Sequence, residues 1–191
     1  MTYGIIILAA GTGRRYRQSG GSGEKLLAHY PDAAGNPQPL LALTLANACE
    51  TAMPVRVVCR PESAEIQALV QRAGAQTTLL ASRGSGESIA AGVKAMPDMD
   101  GWLIVPGDMG WVTAQDYLRV SQALSQGHHQ VRLACSNQPG HPVGFTANYR
   151  QALMALTDDD GAKRLLNRET LLILQAPERV IRDADLFRAQ D

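Results

Sequence analysis

The residues from Ile5 to Leu27, IIILAAGTGRRYRQSGGSGEKLL, set an apolar run, a glycine-rich stretch and four cations in a fixed order. Glycine lets a backbone approach a ligand closely or adopt φ > 0. Successive amide N–H groups in such a loop form a cradle for anions. Arg14 and Arg15 add planar forks suited to phosphate oxygens, and Lys25 adds a mobile point charge. A second chemical candidate closes another apolar run, GWLIVPGD: Asp108 either holds a divalent cation or caps a turn. His141, in the sequence PGHP, either lines a pocket or is satisfied by backbone. Ser88 lies near a helix start, where it either meets a ligand or caps the helix. His29, His128 and His129 fall in unrelated segments and make no metal-binding trio.

Three ordinary loops compete for the opening stretch. A dinucleotide-binding turn needs G-x-G-x-x-G directly opening a helix, but Tyr16 stands where the third glycine belongs. It also needs an acidic residue after a second strand, and Asp32 falls in a turn-rich insertion instead. A P-loop needs G-K-[ST], whereas this chain reads Glu24-Lys25-Leu26. A solvated surface loop is the plainest alternative, although long loops in compact domains are usually functional.

The elements that must position these residues alternate between buried runs and amphipathic patterns, which predicts an α/β fold with a mostly parallel sheet. Strands are expected at Tyr3–Ala9, Val55–Cys59, Gln76–Leu80 and Gly101–Val105. Helices are expected at Pro39–Ala52, within PESAEIQALVQRAG and GESIAAGVKAM, and from the Thr113 cap to about Gln126, where Gly127 stops it. In the C-terminal half, VRLACSNQPGHPVGF predicts two strands around a Pro-Gly turn, hence an antiparallel element in the sheet. Asn148–Leu156, Gly161–Arg168 and Ala184–Arg188 read as helices and Leu171–Leu174 as a strand. Ala28–Pro39 reads as a surface hairpin, and residues 1–191 as one domain.

With 18 basic and 18 acidic residues, the chain has no global field for nucleic acid or an anionic membrane. No apolar stretch approaches the roughly 20 residues of a membrane span. MTYGIIILAAG lacks a basic leader region, so a cytoplasmic protein is expected. Cys49, Cys59 and Cys135 are scattered and read as buried structural thiols.

LAAGTGRR followed at a distance by lysine resembles the L-A-[AG]-G-x-G-x-R…K signature of Rossmann-like nucleotidyltransferases. VPGDMG resembles their strand-terminal G-D-[MQ]-P, and SGESIAAGVKAM their S-L-x-x-G helix. GHPVGF, DDDGAKRLL and VIRDADLF resemble motifs of the molybdenum cofactor branch of that superfamily. The ordered set spans about Ile5 to Phe187. Tyr16-Arg17, Gly110 and Leu186-Phe187-Arg188-Ala189 depart from the family pattern.

The resemblance implies a three-layer Rossmann-like nucleotidyltransferase fold and an attack of an acceptor phosphate on the α-phosphorus of a nucleoside triphosphate. Leu8, Ala9, Ala10, Gly11, Gly13, Ser88 and Gly107 would line the nucleotide. Arg14 would bind the leaving pyrophosphate, and Lys25 would neutralise the transition state. Asp108 would carry Mg²⁺ with a late aspartate, Asp183 ahead of Asp185. His141 and Pro142 would face the acceptor. Relatives that transfer GMP usually read L-A-G-G, so Ala10 favours CTP over GTP. The implied partners are that triphosphate, a molybdopterin-type acceptor and, transiently, a molybdoenzyme apoprotein. A sugar or polyol phosphate acceptor and a non-catalytic binding protein are the alternatives.

Overall fold

The computed structural model describes residues 1–11, 24–157 and 159–184. Its main sheet has seven strands in the order β5-β4-β1-β6-β8-β7-β9. They are β1 (Tyr3–Ala9), β4 (Val55–Cys59), β5 (Gln76–Leu79), β6 (Gly101–Pro106), β7 (Gln130–Cys135), β8 (Gln138–Thr146) and β9 (Leu171–Gln175). Strands β1, β4, β5 and β6 pair in parallel, as do β7 and β9. Only β8 runs the other way, antiparallel to both β6 and β7.

Helices cover both faces. On one face lie α1 (Leu40–Glu50), α2 (Ala64–Arg72) and α4 (Ala114–Ser125); on the other lie α3 (Ser85–Ala95) and α5 (Arg150–Met154). The side-chain alternation of β1 divides its residues between these layers. Tyr3, Ile5, Ile7 and Ala9 pack with Leu40, Leu41, Ile66 and Tyr117, while Ile6 and Ala10 pack with Ile89, Val93 and Trp102. A strand buried on both faces is apolar throughout, which is why Ile5, Ile6 and Ile7 are fully buried. Each contributes about 1.5–3 kcal/mol on an area basis.

The expected hairpin is a two-stranded sheet of β2 (His29–Pro31) and β3 (Pro37–Pro39). Helix α4 starts in a capping box: Asp116 Oδ2 accepts from the Thr113 amide at 2.8 Å, and Thr113 Oγ1 accepts from the Asp116 amide at 3.4 Å. No helix among the described residues is long and apolar enough to cross a membrane. All three cysteines are free, but only Cys59 is fully buried, so the expectation of three buried thiols is too broad.

Two expectations in the C-terminal half are corrected. The β7–β8 turn falls at Ser136-Asn137, with φ of 48° and 68°, and Pro139 and Gly140 lie inside β8. A two-residue turn with left-handed dihedrals matches strand twist, and asparagine tolerates that region. The helix expected over Gly161–Arg168 is only a 3₁₀ turn, Lys163–Leu165. The side chain of Gln130 substitutes for helical partners there, donating to the Leu165 carbonyl and accepting from the Asn167 amide at 2.9 Å. Of the helix expected at Ala184–Arg188, residues 185–188 lie outside the described residues.

Candidate active site

Strand β1 connects to β4 and β5 on one side, while β6 lies on its other side, so the strand order reverses between β1 and β6. Open α/β sheets bind ligands at the carboxyl ends of strands at such a point. The Gly107 amide donates to the Leu8 carbonyl at 2.8 Å, which ties the two strand ends together. A Cβ at residue 107 would lie 3.0 Å from that carbonyl oxygen, so glycine suits this approach.

Helix α1 holds the segment after β6 by two side chains. Thr44 Oγ1 donates to the Gly107 carbonyl at 2.7 Å, and Asn47 Nδ2 donates to the Gly110 carbonyl at 3.0 Å. Between these anchors Asp108 is held inward, only 4% exposed. Lys25 heads a 3₁₀ turn whose Leu26 is buried in the core, so its backbone is fixed although its side chain is long. Lys25 Nζ lies 3.1 Å from Asp108 Oδ2. Residues 83 positions apart thus meet at the carboxyl ends of β1 and β6.

These groups border a cleft of about 330 Å³, lined by Leu8, Ala9, Gly11, Glu24, Lys25, Leu26, Pro106, Gly107, Asp108, His141 and Asp183. Three carboxylates, Glu24, Asp108 and Asp183, therefore share one cleft with an ammonium group. Mg²⁺ is commonly held by one or two carboxylates plus substrate phosphates and waters, so this oxygen donor set fits the cation. No group of three His, Cys, Asp or Glu side chains able to hold a metal occurs among the described residues.

His141 arrives from the reversed strand. Ala134 pairs with Pro139 and Arg132 with Val143, so β8 carries extra residues at Gly140–Pro142 where β7 has only Leu133. Bulges of this kind re-aim side chains beside functional clefts. The His141–Pro142 peptide bond is cis. Burial, followed by the charge of Arg132, pushes the His141 pKa down to about 4, with the Ile104 backbone partly opposing. The imidazole is therefore neutral at pH 7, and its Nδ1 is buried without a hydrogen-bond partner.

A second cavity of about 410 Å³ adjoins the first, and Leu8, Pro106 and His141 line both. It is largely apolar, with Ile89, Ile104, Val143 and Leu166 on its walls, and Arg132 enters it from β7.

Several expected site residues lie elsewhere. Ala10 is buried against Val58 and Ile89 and does not line the cleft. Ser88 is buried with its hydroxyl 2.6 Å from that of Ser82; neither the cleft nor a cap uses it, since Gly84 is the N-cap of α3. Pro142 is buried and lines neither cavity. Gly13, Arg14, Arg15 and Asp185 lie outside the described residues. Thr44, Asn47 and Arg132 escaped the reading of the sequence. Each carried a signal: Thr44 and Asn47 are polar residues in the apolar run LLALTLANA, and Arg132 is a lone cation in VRLAC.

Comparison with known proteins agrees with this geometry. The family model described as MobA-like NTP transferase domain matches residues 5–173. The crystal structure of Rv0371c from Mycobacterium tuberculosis H37Rv superposes with a TM-score of 0.81 at 20% identity, covering 97% of this chain and 93% of that one. Its complex with manganese gives a TM-score of 0.74 at 18% identity over 92% and 89% of the two chains. A nucleotidyl transferase from Methanothermobacter thermautotroptrophicus gives 0.78 at 16% identity over 97% and 92%. No curated protein sequence matches the chain.

Proposed function

The chain belongs to the MobA-like NTP transferase family, and we propose that within it this protein transfers CMP from CTP to the phosphate of molybdopterin and releases pyrophosphate. The observation that carries the reading is the meeting of Lys25 and Asp108, 3.1 Å apart, at the switch point of the sheet. An oxygen of the acceptor phosphate attacks the α-phosphorus. The bond to the bridging oxygen breaks, and pyrophosphate leaves with the electron pair. Such a reaction asks the protein mainly for positioning and electrostatic stabilisation.

By the family resemblance, Leu8, Ala9, Gly11, Gly13 and Gly107 would line the nucleotide. Arg14 takes the departing pyrophosphate. Lys25 exchanges its contact with Asp108 for an α-phosphate oxygen, whose charge grows as the acceptor closes in. Asp108 and Asp183 would hold Mg²⁺, which would neutralise charge on phosphate oxygens when bound. His141 stands on the acceptor side as a neutral imidazole. The choice of CTP rests on the resemblance alone, in which Ala10 stands where GMP-transferring relatives carry glycine.

The test is pyrophosphate release from the purified protein given Mg²⁺, molybdopterin and each nucleoside triphosphate in turn. CTP should support release; release with GTP alone would overturn the base assignment, and tight binding without release would point to a non-catalytic protein. Lys25→Ala should lower kcat by about 10²–10³-fold while CTP affinity falls much less, as for a contact that strengthens in the transition state. Equal losses in both would remove Lys25 from that role. Asp108→Asn should abolish Mg²⁺-dependent turnover with folding preserved, and undiminished turnover would take Asp108 out of the site.

A further inference from the structure

Strand β9 ends the seven-stranded sheet, and no strand among the described residues pairs with its outer edge. Edge strands are usually short, charged, bulged or covered, because their free amides and carbonyls recruit other strands. The opposite edge follows that rule: β5 is four residues long and mostly polar, and its Thr77 carbonyl accepts from Arg56 Nη1 at 3.1 Å. By contrast β9, LLILQ, carries no charge or proline, and its Ile173 is 50% exposed. Leu172 and Leu174 pack on the core, so alternation turns Leu171, Ile173 and Gln175 to the other face.

The backbone of β9 is phased as well. The Ala176 amide donates to the Ala134 carbonyl at 2.9 Å, so Leu172 and Leu174 bond toward β7 while Leu171, Ile173 and Gln175 present their N–H and C=O groups outward. Two of those outward groups are engaged within the chain. The Leu171 amide donates to the Asn167 carbonyl at 2.8 Å, and the Gln175 carbonyl accepts from Arg119 Nη1 at 3.0 Å. The amide and carbonyl of Ile173, the Gln175 amide and the Leu171 carbonyl are left for another strand.

We propose that this edge pairs antiparallel with the same edge of a second copy, about a twofold axis at Ile173, joining the two sheets into one. In that register Ile173 exchanges both bonds with its copy, and each Gln175 amide donates to the partner's Leu171 carbonyl. The Leu171 amide and Gln175 carbonyl are counterparts across the axis, and both are already satisfied, so pairing leaves neither wanting. The two Ile173 side chains meet on one face and cover each other. The flanks are complementary too. Arg168 precedes Ile173 by five residues and Glu178 follows it by five, and both are exposed, so the axis brings each Arg168 toward the partner's Glu178. A parallel pairing in register would set like charges together instead. An isologous contact of this kind closes as a dimer.

Sedimentation of the full chain tests this, at concentrations up to about 100 µM because an edge contact lies at the small, weak end of interfaces. Wild type should rise from 20.5 kDa toward twice that mass. Ile173→Lys sets like charges side by side on the axis and should hold the protein monomeric. Arg168→Glu should weaken association about tenfold, as should Glu178→Arg, and the two together should restore it. In hydrogen exchange the Ile173 and Gln175 amides should gain protection as concentration rises. A chain that stays monomeric, a dimer indifferent to Ile173→Lys, or no recovery in the double charge exchange would overturn the proposal. So would protection of those amides that ignores concentration, since a segment of the same chain would then cover the edge. Should Ile173→Lys not fold, the charge exchange and the wild-type amides decide.

Discussion

The pH dependence of stability should pass through His141. In the folded chain its imidazole protonates near pH 4 rather than 6.5, because burial and the Arg132 charge both oppose the cation. The unfolded chain accepts the proton near 6.5. Between those values the unfolded state binds more protons, so acid favours unfolding, and the coupling is complete only below pH 4. At pH 7 the linkage is close to nil. By pH 5 it reaches about 2 kcal/mol and by pH 4 about 3 kcal/mol, at roughly 1.36 kcal/mol per pKa unit. Urea unfolding of the wild type and of His141→Gln at pH 7 and pH 5 measures it, since glutamine keeps a polar side chain that does not titrate. Wild type should lose about 2 kcal/mol more than the variant over that interval. Equal losses would refute the reasoning, and so would an NMR titration of the His141 ring in the folded protein with a midpoint near 6.5.

Two further substitutions probe the frame around the site. A Cβ at residue 140 would come 2.5 Å from the Val180 carbonyl oxygen, a backbone atom that cannot swing aside. Gly140→Ala should therefore lower stability to urea by about 1–3 kcal/mol and weaken apparent Mg²⁺ affinity, since Asp183, the proposed second Mg²⁺ ligand, lies three residues beyond Val180; a wild-type midpoint would sink this account. The Asp116 carboxyl lies below its ordinary value of 3.8: burial would raise it, but hydrogen bonds from Arg179 and Thr113 outweigh that cost. Its contribution is present above pH 3.8 and is lost as pH falls through the lower folded value. Asp116→Asn should cost about 2 kcal/mol at pH 7, less than a fully buried pair because Arg179 is partly exposed. The cost should shrink in strong acid, and a pH-independent deficit would contradict the ion-pair origin.

How far the fold could be read in the sequence depended on how local its causes are. Tyr3–Ala9 and Val55–Cys59 were legible to the residue, because strands covered on both sides must be apolar throughout. The Thr113 cap was equally plain, being a contact between residues three apart. The β7–β8 turn was misread because Pro-Gly is a common turn pair, whereas here Gly140 lies within β8, close against the distant Val180 backbone. The 3₁₀ turn at Lys163–Leu165 depends on Gln130, another long-range partner invisible to periodicity. For the site, motif spacing brought forward Lys25, Asp108, His141 and Asp183, all of which line one cleft. It also brought forward Ala10, Ser88 and Pro142, whose side chains pack or bond away from it, since a motif records proximity along the chain and not direction.

The lone reversed strand has a consequence for how such a molecule can diversify. Because β8 runs backwards, its first residues and the Ser136-Asn137 tip overhang the same rim as the ends of β1 and β6. Lengthening or shortening that tip would change the rim on the proposed acceptor side while leaving the register of β1 with β4 and β6 untouched. One half of the catalytic rim can therefore drift toward new clients while the other keeps its hold on a common currency of phosphates.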